Sequence, residues 1–139
     1  MITAENQKDL IDWAQERSGF RYRPDAKAIG SQVGDKLTSV VVYDNFSECD
    51  CNMHVVGEGA GWLTRELLFH GFHYPFVQCG LRRVTALVPA KNEKALKLDL
   101  NLGFHYEGCS LQALPDDDIF ILGMLRDNCK FIPKEMTDD

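Results

Sequence analysis

The sequence predicts an α+β fold, and three observations predict it. Segments with helical spacing of apolar residues are interspersed with runs rich in Val, Ile, Tyr and Phe, so both helices and strands are required. Two turn signals, Gly34-Asp35 and Pro115 through Asp118, each join strand-like runs directly and make them antiparallel hairpin partners. One further run, Leu81 to Val88, lies between two helical segments without strict alternation, the pattern of a strand buried on both faces.

In chain order, Ala4 to Arg17 carries Leu10, Ile11, Trp13 and Ala14 among charged neighbours, a one-sided stripe that reads as a helix stopped by Gly19. Phe20 to Pro24 is aromatic and basic. Pro24-Asp25 then turns the chain into a short strand, Ala26 to Val33. Its hairpin partner, Lys36 to Phe46, holds Val40-Val41-Val42-Tyr43 and has the strongest β-branched content of the chain. After a turn at Ser47 to Asp50, Cys51, Met53 and Val55 alternate with Asn52 and His54 as a strand with one buried face. A helix is expected from Trp62 to about Cys79, with Leu63, Leu67, Leu68 and Phe72 on its apolar side. Pro75 lacks the N–H that would bond the Gly71 carbonyl, which predicts a kink, and Gly80 supplies the stop.

The next segment is ambiguous by period. Leu96, Leu98, Leu100 and Leu102 alternate with polar residues as a strand would. Its ends read otherwise: Asn92 suits an N-cap, Glu93 the first turn and Gly103 the position after the last turn, so a helix is expected. Phe104 to Leu114 and Ile119 to Leu125 close the chain as a hairpin. Residues 1–132 are expected to form one domain and 133–139 a frayed acidic tail, with no repeat or linker dividing them.

At 139 residues one core suffices, burying roughly two-thirds of the unfolded surface. No apolar run approaches the roughly 18 residues that span a membrane, and the polar start MITAENQKDL argues against an export signal and for the cytoplasm. A net charge of −6 argues against a nucleic-acid backbone as partner and suits a small or cationic one. Five cysteines at irregular spacing read as reduced thiols. Cys49-x-Cys51-x-x-His54 offers half of a zinc pattern but has no second pair at matching spacing, so no metal is expected.

Gly57-Glu58-Gly59-Ala60-Gly61 falls between a strand and a helix. Backbone N–H groups left free there, at the positive end of the helix dipole, can hold a pyrophosphate; the alternative is a flexible connector.

With these residues in place, the segment from Arg82 to Val88, then Asn92-x-x-Ala95, then Leu102-Gly103-Phe104 and Glu107-Gly108, resembles the Gcn5-related N-acetyltransferases, most closely the ribosomal-protein alanine acetyltransferase branch. The order of elements is similar across nearly the whole chain, and the specific residues cover about Val55 to Gly108. The resemblance implies a mostly antiparallel sheet of about six to seven strands, splayed in the middle, with helices on both faces. It also implies acetyl-CoA as cosubstrate. Gly59-Ala60-Gly61-Trp62, with Thr64, would receive its pyrophosphate, and Gly57 would also contact the cosubstrate. Val55 and Val56 would lend backbone groups to the pantetheine, and Asn92 and Ala95 would meet the CoA arm. The loop is shorter than in most relatives and carries Glu58, and Asp99 stands where many have a Tyr that serves as general acid.

The reaction implied is direct attack by a primary amine on the thioester. A thiol of pKa near ~8.5 needs only about 2 kcal/mol of help to leave at pH 7, whereas an alkylammonium near ~10.4 costs about 4–5 kcal/mol to deprotonate. The base therefore matters more than the acid. His54 is the candidate base, since histidine titrates nearest neutrality, with Glu58 and Glu107 behind it; a hydrogen-bonded strand histidine is the alternative. The acceptor, a protein N-terminus, a lysine or a small amine, would be shaped by Phe20 to Pro24 and by the hairpin at Asp116 to Asp118. A binding or inhibitory module on the same fold is the competing function, and a homodimer through an exposed sheet edge is left open.

Overall fold

The computed structural model describes residues 1–137; Asp138 and Asp139, the end of the expected acidic tail, lie outside the described residues. Seven strands and three helices follow one another as β1 (Ile2–Thr3), α1 (Gln7–Ser18), β2 (Lys27–Val33), β3 (Lys36–Asp44), β4 (Asn52–Gly57), α2 (Arg65–His73), β5 (Arg83–Pro89), α3 (Glu93–Leu102), β6 (His105–Leu114) and β7 (Asp117–Leu125). They form one sheet in the order β1-β2-β3-β4-β5-β7-β6. Every neighbouring pair is antiparallel except β4 with β5. No helix of the described residues is long and apolar enough to cross a membrane.

The alternation along the strands sorts their side chains onto two faces. Val40 and Val42 of β3 pack with Ala28 against Leu10 and Ala14 of α1. Val41 and Tyr43, with Met53, Val84, Ala86, Val88, Leu122 and Met124, pack against Leu67 and Phe72 of α2 and Leu102 of α3. The larger core thus lies under α2 and α3, and α1 covers β2 to β4 on the opposite side.

Local chemistry sets the helix ends. α1 stops at Gly19, which takes φ 76° and donates its N–H to the Gln15 carbonyl. α3 begins under Asn92, whose side chain accepts the Ala95 N–H at 3.1 Å, and ends at Gly103 with φ 114°. The caps therefore outweigh the leucine alternation, as their chemistry requires. α2 starts at Arg65, three residues later than its apolar pattern suggests, because the Thr64 hydroxyl accepts the Leu67 N–H and caps the helix there. Trp62 consequently belongs to the preceding loop.

The break expected at Pro75 is a wide turn over Tyr74–Gln78, closed by the Cys79 N–H on the Tyr74 carbonyl. The Gly71 carbonyl that Pro75 cannot serve is taken by the buried Tyr43 hydroxyl at 2.6 Å. One side chain of β3 thereby satisfies the orphaned acceptor and ties α2 to the sheet.

β1 was not expected from sequence: two residues pair with Ser31 and Gly30, and Asn6, at φ 56°, delays α1 to Gln7. At the other end, Lys134–Met136 form a single 3-10 turn.

Candidate functional site

The parallel pair at the centre of the sheet is the source of the site. β4 meets β5 at a single register position, Asn52 opposite Thr85, and beyond it the two strands diverge. On its other edge β4 remains paired with β3 through Gly57, opposite Ser39. The Glu58 N–H donates to the Thr38 carbonyl at 3.0 Å, which fixes the even-numbered residues of β4 as those bonded to β3. The peptide groups of Val55 and Gly57 therefore point toward β5, where the divergence leaves them no strand partner, while those of Val56 are directed to Val40.

The opening is a cleft of about 390 Å³. It passes through the sheet and is lined differently on the two faces. On the α1 side stand Arg17, Ser18, Phe20, Tyr22 and His54; on the α2 and α3 side stand Trp62, Asn92, Lys94, Ala95, Leu98 and Asp99. The wall supplied by β5, Ala86 to Pro89, is wholly apolar.

His54 is held firmly. Its Nε2 lies 3.0 Å from Asp44 Oδ1, with the two side chains 16% and 5% exposed, and the Tyr22 ring sits at 4.9 Å. Asp44 Oδ2 accepts the Arg23 N–H at 2.9 Å. Burial pushes the Asp44 carboxyl upward, but the bonds from His54 and from the Arg23 N–H outweigh it and hold the group below the usual carboxylate range. An ionised Asp44 can only accept, so Nε2 carries the hydrogen and Nδ1 is the ring's basic nitrogen. This is the geometry of a base oriented by a carboxylate.

Glu58, the second candidate base, is committed elsewhere. Its carboxylate accepts from Arg17 Nε at 2.9 Å and Nη2 at 3.4 Å, and this guanidinium hydrogen bond lowers its pKa. The pair also matches the acid beside the glycine loop with a cation. Glu107 is bonded to Arg83 at 2.8 Å, in a polar group with Asp50 and Thr85 outside the cleft lining.

The loop itself is open. Gly59 and Gly61 take φ 80° and 74°, a conformation that strains other residues, and both are exposed. Among the described residues, the N–H groups from Gly59 to Glu66 make no backbone hydrogen bond. Gly57 is required for another reason: a Cβ there would run into the Trp62 indole, which lies over its backbone. The first turn carries both Arg65 and Glu66, so it is the free amides at the helix N-terminus that fit a phosphorylated arm. The unpaired edge of β4 fits an extended amide chain.

Of the sequence-predicted positions, His54, Val55, Val56, Gly57, Trp62, Asn92 and Ala95 line the cleft, whereas Glu58, Gly59 and Gly61 do not and lie in the exposed loop between Gly57 and Trp62. Asp44 was missed. It stands diagonal to His54 on the same face of the neighbouring strand, and only the β3–β4 register reveals this. The acidic hairpin at Asp116 to Asp118 lines a separate depression with Lys91 and Gln112. All five cysteines are free, and no group of three or more His, Cys, Asp or Glu residues with metal-binding geometry occurs among the described residues.

No protein-family model and no curated protein matches the chain. Solved structures do. A point variant of spermidine N-acetyltransferase SpeG from Vibrio cholerae has a TM-score of 0.77 at 16% identity, over 97% of this chain and 99% of that one. A chimera of the V. cholerae enzyme with hSSAT has a TM-score of 0.74 at 16% identity, over 91% and 96%. The dodecameric V. cholerae enzyme in an intermediate state has 0.74 at 14%, over 91% and 94%. The fold is thus that of the Gcn5-related N-acetyltransferases, as the sequence resemblance implied. These three neighbours are spermidine enzymes and do not include the ribosomal-protein branch.

Proposed function

We propose that the chain is an acetyl-CoA-dependent N-acetyltransferase that moves an acetyl group to a primary amine by direct attack. The observation that carries this reading is the opening between β4 and β5, which runs through the sheet with unpaired peptide groups on one wall and an oriented histidine at one mouth. The cosubstrate would lie along Val55 and Gly57, with its pyrophosphate at Gly59 to Trp62 and its arm against Asn92 and Ala95. It supplies the activated acetyl group.

This chain's own residues supply orientation and proton transfer. The acceptor amine enters on the α1 side, between Phe20, Tyr22 and His54. His54 Nδ1 takes a proton from the ammonium, and Asp44 holds the ring in the tautomer that allows it. Asp44 acts through His54 and is a positioning residue. The apolar β5 wall keeps water from competing with the amine.

A net charge of −6 and aromatic side chains at the acceptor mouth suit a cationic amine. The neighbours' substrate makes spermidine a sensible member of the test set. The experiment is incubation with acetyl-CoA and a panel of spermidine, a lysine peptide and a peptide with a free N-terminus, read by mass spectrometry. A gain of one acetyl group on one class supports the reading. Binding of a protein partner without CoA, and no transfer to any amine, would support a binding module instead.

A further inference from the structure

We propose that the acceptor is a primary monoamine on an apolar aryl or alkyl body, and that an uncovered strip of the sheet, formed by Leu87, Pro89, Ile119 and Ile121, receives that body. The inference rests on the transferase reading and adds to it the acceptor class.

The strip follows from register. His54 stands opposite Val42, on the face covered by α1. Asn52 shares that face by alternation and pairs with Thr85, so Leu87 and Pro89 emerge there too. Antiparallel pairing then places Ile121 opposite Leu87 and Ile119 opposite Pro89. All four are half-buried. Among the described residues, Leu87, Ile119 and Ile121 pack against neither hydrophobic core, because α1 covers only β2 to β4 and the larger core lies on the other face. Leu87 and Pro89 also line the cleft, so the strip is continuous with the mouth at His54. Across that mouth the Tyr22 and Phe20 rings lie 4.9 and 6.5 Å from the His54 ring. The Tyr22 hydroxyl is already partnered, 3.0 Å from Ser18 Oγ.

Charge on this face sets the class. Among the described residues the cleft lining contains one carboxylate, Asp99, and it stands on the α3 side; the acceptor side carries the Arg17 guanidinium. The acids of the acceptor face and its rim are matched: Asp44 with His54 and the Arg23 N–H, Glu58 with Arg17, Asp50 and Glu107 with Arg83. By alternation the next acid of β7 on this face is Asp117, which accepts the Lys91 N–H at 2.8 Å. It lies roughly 13 Å of strand beyond Ile121. A second ammonium a few carbons from the reacting nitrogen would therefore rest on apolar side chains near Arg17, stripped of water and without a counter-ion. An uncharged body in the same place removes apolar surface from water. The net charge of −6 draws any cation to the molecule, and this local pairing selects among cations.

With saturating acetyl-CoA, kcat/KM for 2-phenylethylamine and for hexylamine should exceed that for spermidine by about tenfold or more. Ile121→Glu puts a carboxylate on the strip, and Ile121→Gln is its uncharged match. The ratio of kcat/KM for 1,6-diaminohexane to that for hexylamine should be about tenfold higher in Ile121→Glu than in Ile121→Gln at low salt, and this ratio cancels any loss of folded protein. Without acetyl-CoA, 2-phenylethylamine should shift the 13C-methyl signals of Ile119 and Ile121 and leave that of Ile2 in place. The wild-type panel and the methyl signals decide the question even if neither variant folds. Spermidine used as well as or better than both monoamines, a peptide with a free N-terminus preferred to them, equal ratios in the two variants, or unmoved Ile119 and Ile121 methyls would overturn the proposal alone. Transfer to no amine would overturn the transferase reading, and this inference with it.

Discussion

Replacing Tyr43 by Phe tests how the sheet holds α2, and through it the glycine loop. The ring is fully buried and packs at 4.9 Å from the Tyr74 ring, contacts that Phe retains. What is lost is the bond at 2.6 Å to the Gly71 carbonyl, the acceptor that Pro75 leaves without a helical donor. A buried acceptor stranded in this way costs about 1–3 kcal/mol. Unfolding entropy near the midpoint is about 0.3 kcal/mol/K for a chain of this length, so Tm should fall by about 3–10 °C. Thermal unfolding followed by circular dichroism measures it. The causal claim has its own control, since Pro75→Ala restores an N–H four residues after Gly71. In that background Tyr43→Phe should cost at least about 1 kcal/mol less, a coupling read from the double-mutant cycle. A Tm change under about 1 °C, or the same loss in both backgrounds, would refute the reasoning.

Other consequences follow from the same contacts. In Asp44→Asn the one remaining side-chain oxygen is held by the Arg23 N–H and the new NH2 faces His54 Nε2, which reverses the ring's tautomer, and kcat should fall by roughly 10²-fold or more while acetyl-CoA affinity holds. Because the Asp44 carboxyl is depressed in the folded state, its contribution is present above its unfolded pKa near ~3.9 and is lost as pH falls through the folded value. The acid limb of Tm against pH, below about pH 4, should therefore be shallower in Asp44→Asn than in wild type. Gly57→Ala drives a methyl into the Trp62 indole and should cost about 1–3 kcal/mol. In a Trp13→Phe background the remaining tryptophan emission should shift to the red; an unchanged spectrum and Tm would show that the indole does not depend on the bare backbone.

Much of the fold is legible in the sequence because it is written in local chemistry. Asn92 and Gly103 identify α3 against a misleading leucine alternation, and Gly34-Asp35 identifies the first hairpin, with Gly34 at φ 61°. Pro75 announces the break after α2, although nothing local says that Tyr43, 28 residues earlier, answers it. The strands' order and the opening between β4 and β5 are products of long-range pairing, which residue spacing does not encode; the family resemblance implied a sheet splayed in the middle, and the order comes from the structure. The Asp44–His54 pair lies between those cases. Each residue is visible in its strand, but their meeting depends on a register that a one-residue slip would abolish. Asp99 shows the opposite gap. The sequence marks it as a departure from a tyrosine, while only burial in the cleft gives the carboxyl an altered acidity.

The central claim, that the opening between β4 and β5 receives acetyl-CoA, is tested most directly by titrating acetyl-CoA into the purified protein by calorimetry, with Tm recorded alongside. Saturable one-to-one binding is predicted, with Tm rising as a ligand at a hundred times its Kd adds about 2.7 kcal/mol to stability. Gly57→Ala and Gly61→Pro should weaken the affinity by tenfold or more while the domain remains folded. No binding heat and no Tm shift at millimolar acetyl-CoA would contradict the account.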